Sequence, residues 1–164
     1  MNDPLTRFNA ASTDEAARLL YSCFANRAWA AKVVGGRPYE SLGAVLASAE
    51  AAWSELVPAD WLEAFAAHPR IGERGGSSPA ASDREQSAAG QASAATLAGL
   101  AAENRQYEAR FGHVFLISAT GRSAEEMLQE LRRRMGNDPT TELQVAAGEQ
   151  RKITRLRLEH LLTA

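Results

Sequence analysis

Phe111-Gly112-His113-Val114-Phe115-Leu116-Ile117-Ser118 is the only strand-like stretch of this 164-residue chain, and its reading decides the fold class. A lone strand cannot satisfy its backbone, and no second strong strand signal is present to pair with it. The stretch therefore reads as a buried extended connection, and the segments around it read as helix. Before it, Ser82 to Arg110 reads as one long helix, poor in bulky residues until Leu97, Leu100 and Tyr107. After it, Ser123-Ala124-Glu125-Glu126 forms a capping box that opens a helix with Leu128, Leu131 and Met135 inward. Asp138-Pro139 starts a last helix that runs to about Leu162.

Toward the N-terminus, Ser12-Thr13-Asp14-Glu15 is another capping box, followed by Leu19, Leu20, Cys23 and Phe24 on one helical face. A helix around Arg27 to Val34 stops at Gly35-Gly36. Pro38 to Leu56 reads as an amphipathic helix, with Leu42, Val45, Leu46, Ala49 and Trp53 at helical spacing. Pro58 to Phe65 is a short helix whose proline suits the first turn, and Pro69 disfavours helical geometry at His68. Gly72, Gly75, Gly76 and Pro79 mark a loop. The expectation is an all-α bundle of about seven to nine helices, one domain over residues 1–164, with one buried extended connection.

Composition agrees with a globular chain: 45% hydrophobic, 23% charged, and only 7% aromatic with abundant alanine, which favours closely packed helices. A net charge of −2 gives no electrostatic reason to expect nucleic acid. No apolar run of about 18 residues suggests a membrane span. Met1-Asn2-Asp3-Pro4 lacks a signal-peptide pattern and Leu162-Thr163-Ala164 lacks a peroxisomal address, so a cytoplasmic location is expected. Cys23 is the one cysteine and falls on an apolar face, which suits a buried thiol rather than a nucleophile. The histidines show no metal-ligand spacing, so no metal is expected.

Three polar positions require an explanation. His68 ends an apolar helix carrying Trp61, Leu62 and Phe65. It is either a histidine hydrogen-bonded at a helix C-terminus or an acid–base group titrating near neutrality. Ser82-Asp83-Arg84-Glu85-Gln86 is a capping box, or a pocket edge where helix N-terminal N–H groups, Glu85 and Gln86 meet a ligand. Arg157 falls on the wheel between Ile153 and Leu161, in an apolar arc that also holds Leu156, while Arg155 falls on the opposite face. A guanidinium there must be paired, either with a carboxylate such as Glu63 or Glu85 or with an anionic ligand.

The chain resembles the 2-oxo-4-hydroxy-4-carboxy-5-ureidoimidazoline (OHCU) decarboxylases from end to end. The matching fragments are Phe8-Asn9, Trp29-Ala30, Arg37-Pro38, Asp60 to Phe65, the signature His68-Pro69-Arg70-Ile71-Gly72, Ser82 to Gln86, Tyr107, Phe111-Gly112, Phe115 to Ser123, and Lys152 to Leu158. The resemblance implies a carboxy-lyase of urate degradation that forms (S)-allantoin without a cofactor. It implies His68, Glu85 and Arg157 as catalytic residues. Substrate contacts would come from Pro69, Ser82, Asp83, Arg84, Glu85, Gln86, Phe115, Leu116, Ile117, Ser118, Ala119 and Arg157. Arg122 stands where a lysine is common, and His113 where an apolar residue often stands. Family members are often homodimers, so the resemblance implies a homodimer, with functional coupling to the preceding hydroxyisourate hydrolase as a further expectation. A non-catalytic helical module, or a hydrolase of a related ureido compound, are the rival readings.

Overall fold

The computed structural model describes residues 3–71, 79–87 and 92–164. Among them the chain forms nine helices: α1 (Pro4–Ala10), α2 (Thr13–Cys23), α3 (Arg27–Gly35), α4 (Leu42–Trp53), α5 (Pro58–Phe65), α6 (Pro79–Glu85), α7 (Ala94–Phe111), α8 (Ala124–Arg134) and α9 (Pro139–Thr163). No strand occurs among the described residues, and residues 114–119, the stretch expected to be an extended connection, form no regular secondary structure. No helix among them is long and apolar enough to cross a membrane. The chain divides into two compact units, one of Met1–Ala64 with Ile153–Ala164 and one of Phe65–Lys152.

The caps behave as local chemistry demands. Ser12 accepts from the Glu15 N–H, Ser123 from the Glu126 N–H, and Asp138 from the Thr141 N–H at 2.9 Å. One helix is absent from the sequence-based expectation: α1 starts at Asp3-Pro4, where Asp3 accepts from the N–H groups of Leu5 and Thr6. This is the same Asp-Pro signal as at residues 138–139, on a helix too short to show apolar periodicity.

Two expected helices need correction. The Pro38 to Leu56 helix begins only at Leu42, capped by Ser41. Asn9 accounts for the delay, since its side chain both donates to the Tyr39 carbonyl and accepts from the Tyr39 N–H, each at 2.9 Å. Those bonds hold Tyr39 outside the helix, with its hydroxyl 2.6 Å from the Val33 carbonyl. The single helix from Ser82 to Arg110 is in fact two. α6 ends at Glu85, and Ser93 caps α7 by accepting from the Thr96 N–H at 3.1 Å. Ser82 is consequently a buried residue inside α6 and not an N-cap, which removes the expected capping box. The loop expected over Gly72, Gly75 and Gly76 lies outside the described residues, and Pro79 already belongs to α6.

In the first unit, Phe24 packs edge-on against Trp29 at 5.3 Å and tilted against Trp53 at 5.1 Å, and Trp53 stacks on Trp61 at 6.1 Å. Cys23 is buried in this unit, as expected. Asn26 fastens α3 there. Its side-chain oxygen accepts from the Trp29 N–H at 2.8 Å and its amide nitrogen donates to Asp60 at 3.3 Å. Asn26→Ala is expected to cost about 1–2 kcal/mol, the loss of a buried N-cap. Thermal unfolding checks it, and a loss no larger than that of an exposed substitution would show that the cap does not hold α3.

The second unit is built around Ile71, Leu100, Tyr107, Phe115, Ile117, Met127, Leu128 and Leu131. Gly112 ends α7 with φ at 81°, a left-handed conformation that glycine adopts without Cβ strain, and so turns the chain into the extended stretch.

Candidate active site

α5 ends at Phe65, and the His68 N–H closes the following turn on the Phe65 carbonyl at 3.1 Å. Pro69 then prevents the chain from continuing as helix. This turn is held from three directions within the second unit. The His68 Nε2 lies 2.7 Å from Oε1 of Gln150 on α9. Arg70 makes a two-pronged bond to Glu108 on α7, at 2.6 and 3.0 Å. Ile71 is buried in the core. The His68 ring is half-buried, whereas Gln150 has no exposed surface.

The extended stretch is fixed by charges on its neighbours. Phe115, Leu116, Ile117 and Ala119 are all buried. Arg134 donates from Nη1 to the Leu116 carbonyl at 2.7 Å, and its guanidinium lies 4.6 Å from the Phe115 ring centre. Glu149 on α9 accepts from the Ser118 N–H at 3.3 Å and pairs with Lys152 at 2.6 Å, with Arg122 at 3.9 Å. Successive residues of α9, Glu149 and Gln150, thus tie down the extended stretch and the His68 turn.

Arg134 itself is fully buried, and so is its partner Glu142. Its Nε donates to Glu142 Oε1 at 2.6 Å; Nη2 is as near, at 2.5 Å, but off the line of its N–H bonds, so it adds attraction without a second hydrogen bond. Tyr107 donates to the same oxygen at 2.6 Å and Asn137 to the other at 3.1 Å. Burial, and then the bond to Glu142, push the Tyr107 phenol far above its ordinary range, so it remains a proton donor. These bonds offset most of the cost of burying the pair, with Nη2 held by attraction to Glu142 alone.

The other expected residues are distributed as follows. Pro69 is half-buried beside His68. Glu85 is the last residue of α6 and Gln86 follows it; both are half-buried, while Asp83 and Arg84 are exposed. The anion-binding helix N-terminus expected at Ser82 is therefore replaced by a helix C-terminus at Glu85. Arg157 is buried on α9 in the first unit, with Nη1 3.4 Å from the Ser22 carbonyl. Leu156 is 40% exposed and falls outside the buried arc, which Gln150, Ile153, Arg157 and Leu158 share instead. Arg155 is on the outer face, as expected, paired with Glu159. Glu63, one suggested partner of Arg157, is exposed. His113 belongs to an aromatic cluster, its ring 5.5 Å from Phe65 and 5.6 Å from Tyr107.

The sequence reading misses Arg70, Arg134, Glu142, Glu149 and Gln150. Gln150 had a usable signal: it precedes Ile153 by three residues and Arg157 by seven, so the wheel that places Arg157 inward places it inward too. Among the described residues, no group of three or more His, Cys, Asp or Glu side chains is placed to hold a metal.

Residues 9–159 match the family model described as OHCU decarboxylase. The chain is 37% identical over 147 residues to the Arabidopsis thaliana uric acid degradation bifunctional protein TTL, a match covering 86% of this chain and 45% of that protein. It is 40% identical over 102 residues to the Mus musculus OHCU decarboxylase, covering 59% of this chain and 57% of that one. The match thus spans about half the length of these relatives. The fold matches a crystal structure of OHCU decarboxylase in the presence of (S)-allantoin with a TM-score of 0.77 and 34% identity, covering 88% of this chain and 97% of that one.

Proposed function

The chain belongs to the OHCU decarboxylase family, and from that premise we propose that it converts OHCU to (S)-allantoin with release of carbon dioxide in urate degradation. The observation that carries this reading is the half-buried His68, set in the family's signature turn and gripped by a buried amide at 2.7 Å.

Decarboxylation leaves an electron pair that requires a sink. In OHCU the carbon bearing the carboxylate adjoins a C=N bond. As the carbon–carboxylate bond breaks, the pair moves toward that nitrogen, which takes a proton. The neighbouring hydroxyl then becomes a carbonyl as it loses its proton, and the ureido-bearing carbon takes one, for a net uptake of one proton. The protein has to orient, protonate from one face and exclude water. His68 removes the hydroxyl proton and manages its return. Glu85 and Gln86 suit the N–H and C=O edges of the ureido group. Backbone groups of Phe115 to Ala119 fix the ring, and Arg157 takes carbonyl or carboxylate oxygen.

We take residues 1–164 as one decarboxylase-like domain, supported by a family match running through residues 9–159. A homodimer and coupling to the preceding hydroxyisourate hydrolase rest on the resemblance alone, and a cytoplasmic location is an expectation from the sequence.

Circular dichroism of a reaction begun from urate with the upstream enzymes tests the reading. The (S)-allantoin signal is expected to rise only when this protein is added, together with carbon dioxide. A background that is the same with and without it would favour a binding module, and turnover without carbon dioxide would favour a hydrolase. Arg157→Lys is expected to lower kcat/KM roughly 10–100-fold, because one charge-assisted bond of the planar fork is lost although the charge stays. Wild-type kinetics in that variant would assign Arg157 a structural role.

A further inference from the structure

An amide oxygen only accepts hydrogen bonds. With Gln150 Oε1 2.7 Å from His68 Nε2, Nε2 is the donor of this bond, and in a neutral ring that leaves the lone pair on Nδ1. We propose that Gln150 is a positioning residue for the decarboxylation, a fully buried amide that holds His68 in the Nε2–H tautomer and in one orientation, so that Nδ1 is the atom that exchanges the substrate proton. This rests on the reading of His68 as the acid–base group.

Three observations support the assignment. Gln150 has no exposed surface and sits within a 25-residue helix, so its side chain is confined by packing. Its neighbour Glu149 is turned to the Ser118 N–H and Lys152, while the Gln150 amide oxygen lies against the ring. On α7, Glu108 is engaged by Arg70, two residues along the chain from His68. The choice of an amide over an acid also has a consequence. A carboxylate at this place would orient the ring equally well but would favour the imidazolium. A neutral acceptor orients it while leaving the base form available near neutral pH, as a group that must first take a proton requires.

The test begins with the wild-type protein. Ring ¹⁵N spectra are expected to show a slowly exchanging proton on Nε2 of His68; a proton on Nδ1, or fast averaging of tautomers, would overturn the proposal. In Gln150→Leu that protected signal is expected to vanish and kcat to fall about 10–100-fold with KM within about twofold, the mark of lost orientation rather than lost binding. A folded Gln150→Leu protein with wild-type kcat would also overturn it. In Gln150→Glu the acid limb of the kcat/KM profile is expected to move up by roughly 1–2 pH units, through the new charge beside Nε2. A purely structural side chain would leave that limb in place, and an unmoved limb counts against the proposal. The two readings fail separately. Full activity in His68→Ala defeats the catalytic role but leaves the wild-type spectrum intact, whereas a wrong tautomer in an enzyme that needs His68 defeats only the role of Gln150.

Discussion

His68→Ala is expected to lower kcat by about 10²–10⁴-fold, the usual contribution of a positioned general acid–base group. Stability should change little by comparison, because the ring is half-buried and the turn keeps its other anchors in Arg70–Glu108 and the buried Ile71. The main structural cost is one hydrogen bond to the buried Gln150 amide, about 1 kcal/mol. His68→Gln is the sharper control, since its amide nitrogen can take the place of the ring Nε2 and donate to that amide but cannot shuttle a proton near neutral pH. Both variants should stop the enzymatic rise of the (S)-allantoin dichroism signal, leaving only uncatalysed decay to racemic product. A folded His68→Ala protein making (S)-allantoin at the wild-type rate would dismiss the proposed chemistry.

The largest expected effect on stability comes from Glu142→Ala. It strips Arg134, fully buried, of its carboxylate and removes the acceptor of Tyr107 and Asn137 at the same time. Leaving a buried guanidinium without its counter-charge costs about 3–5 kcal/mol. For a chain of this size that corresponds to a fall in Tm of roughly 6–20 °C. Replacing both charges by apolar groups, Arg134→Met with Glu142→Leu, should recover much of the loss, because neither charge then has to be desolvated. The double variant separates stability from function, since it still lacks the Arg134 bond to the Leu116 carbonyl. With the extended stretch less firmly held, KM is expected to rise even where Tm returns. A Glu142→Ala protein that melts within a degree or two of wild type would show that the pair is not carrying the second unit.

The two corrections to helix boundaries show how far local signals reach. Ser41 and Ser93 are ordinary caps, yet neither is conspicuous, because Pro38 and the alanine-rich run before Ser93 are compatible with helix on propensity alone. At Tyr39 the decision belongs to Asn9, 30 residues away, whose two bonds outweigh another turn of helix. At Ser82 the capping-box pattern is present in sequence, but a helix already begun at Pro79 takes precedence.

What the sequence determined by itself is the all-α class and most helix starts. Caps such as Ser12, Ser123 and Asp138 act on backbone N–H groups three residues away, so their chemistry is complete within the local sequence. It also determined that Arg157 and Cys23 lie inward, because a buried helical face repeats every three to four residues. Only the tertiary structure decided which groups meet: Gln150 with His68 across 82 residues, Glu108 with Arg70 across 38, and Glu149 with Ser118 across 31. Such pairings carry no periodic signal. They arise when helices pack and a buried donor must find the acceptor that packing brings to it.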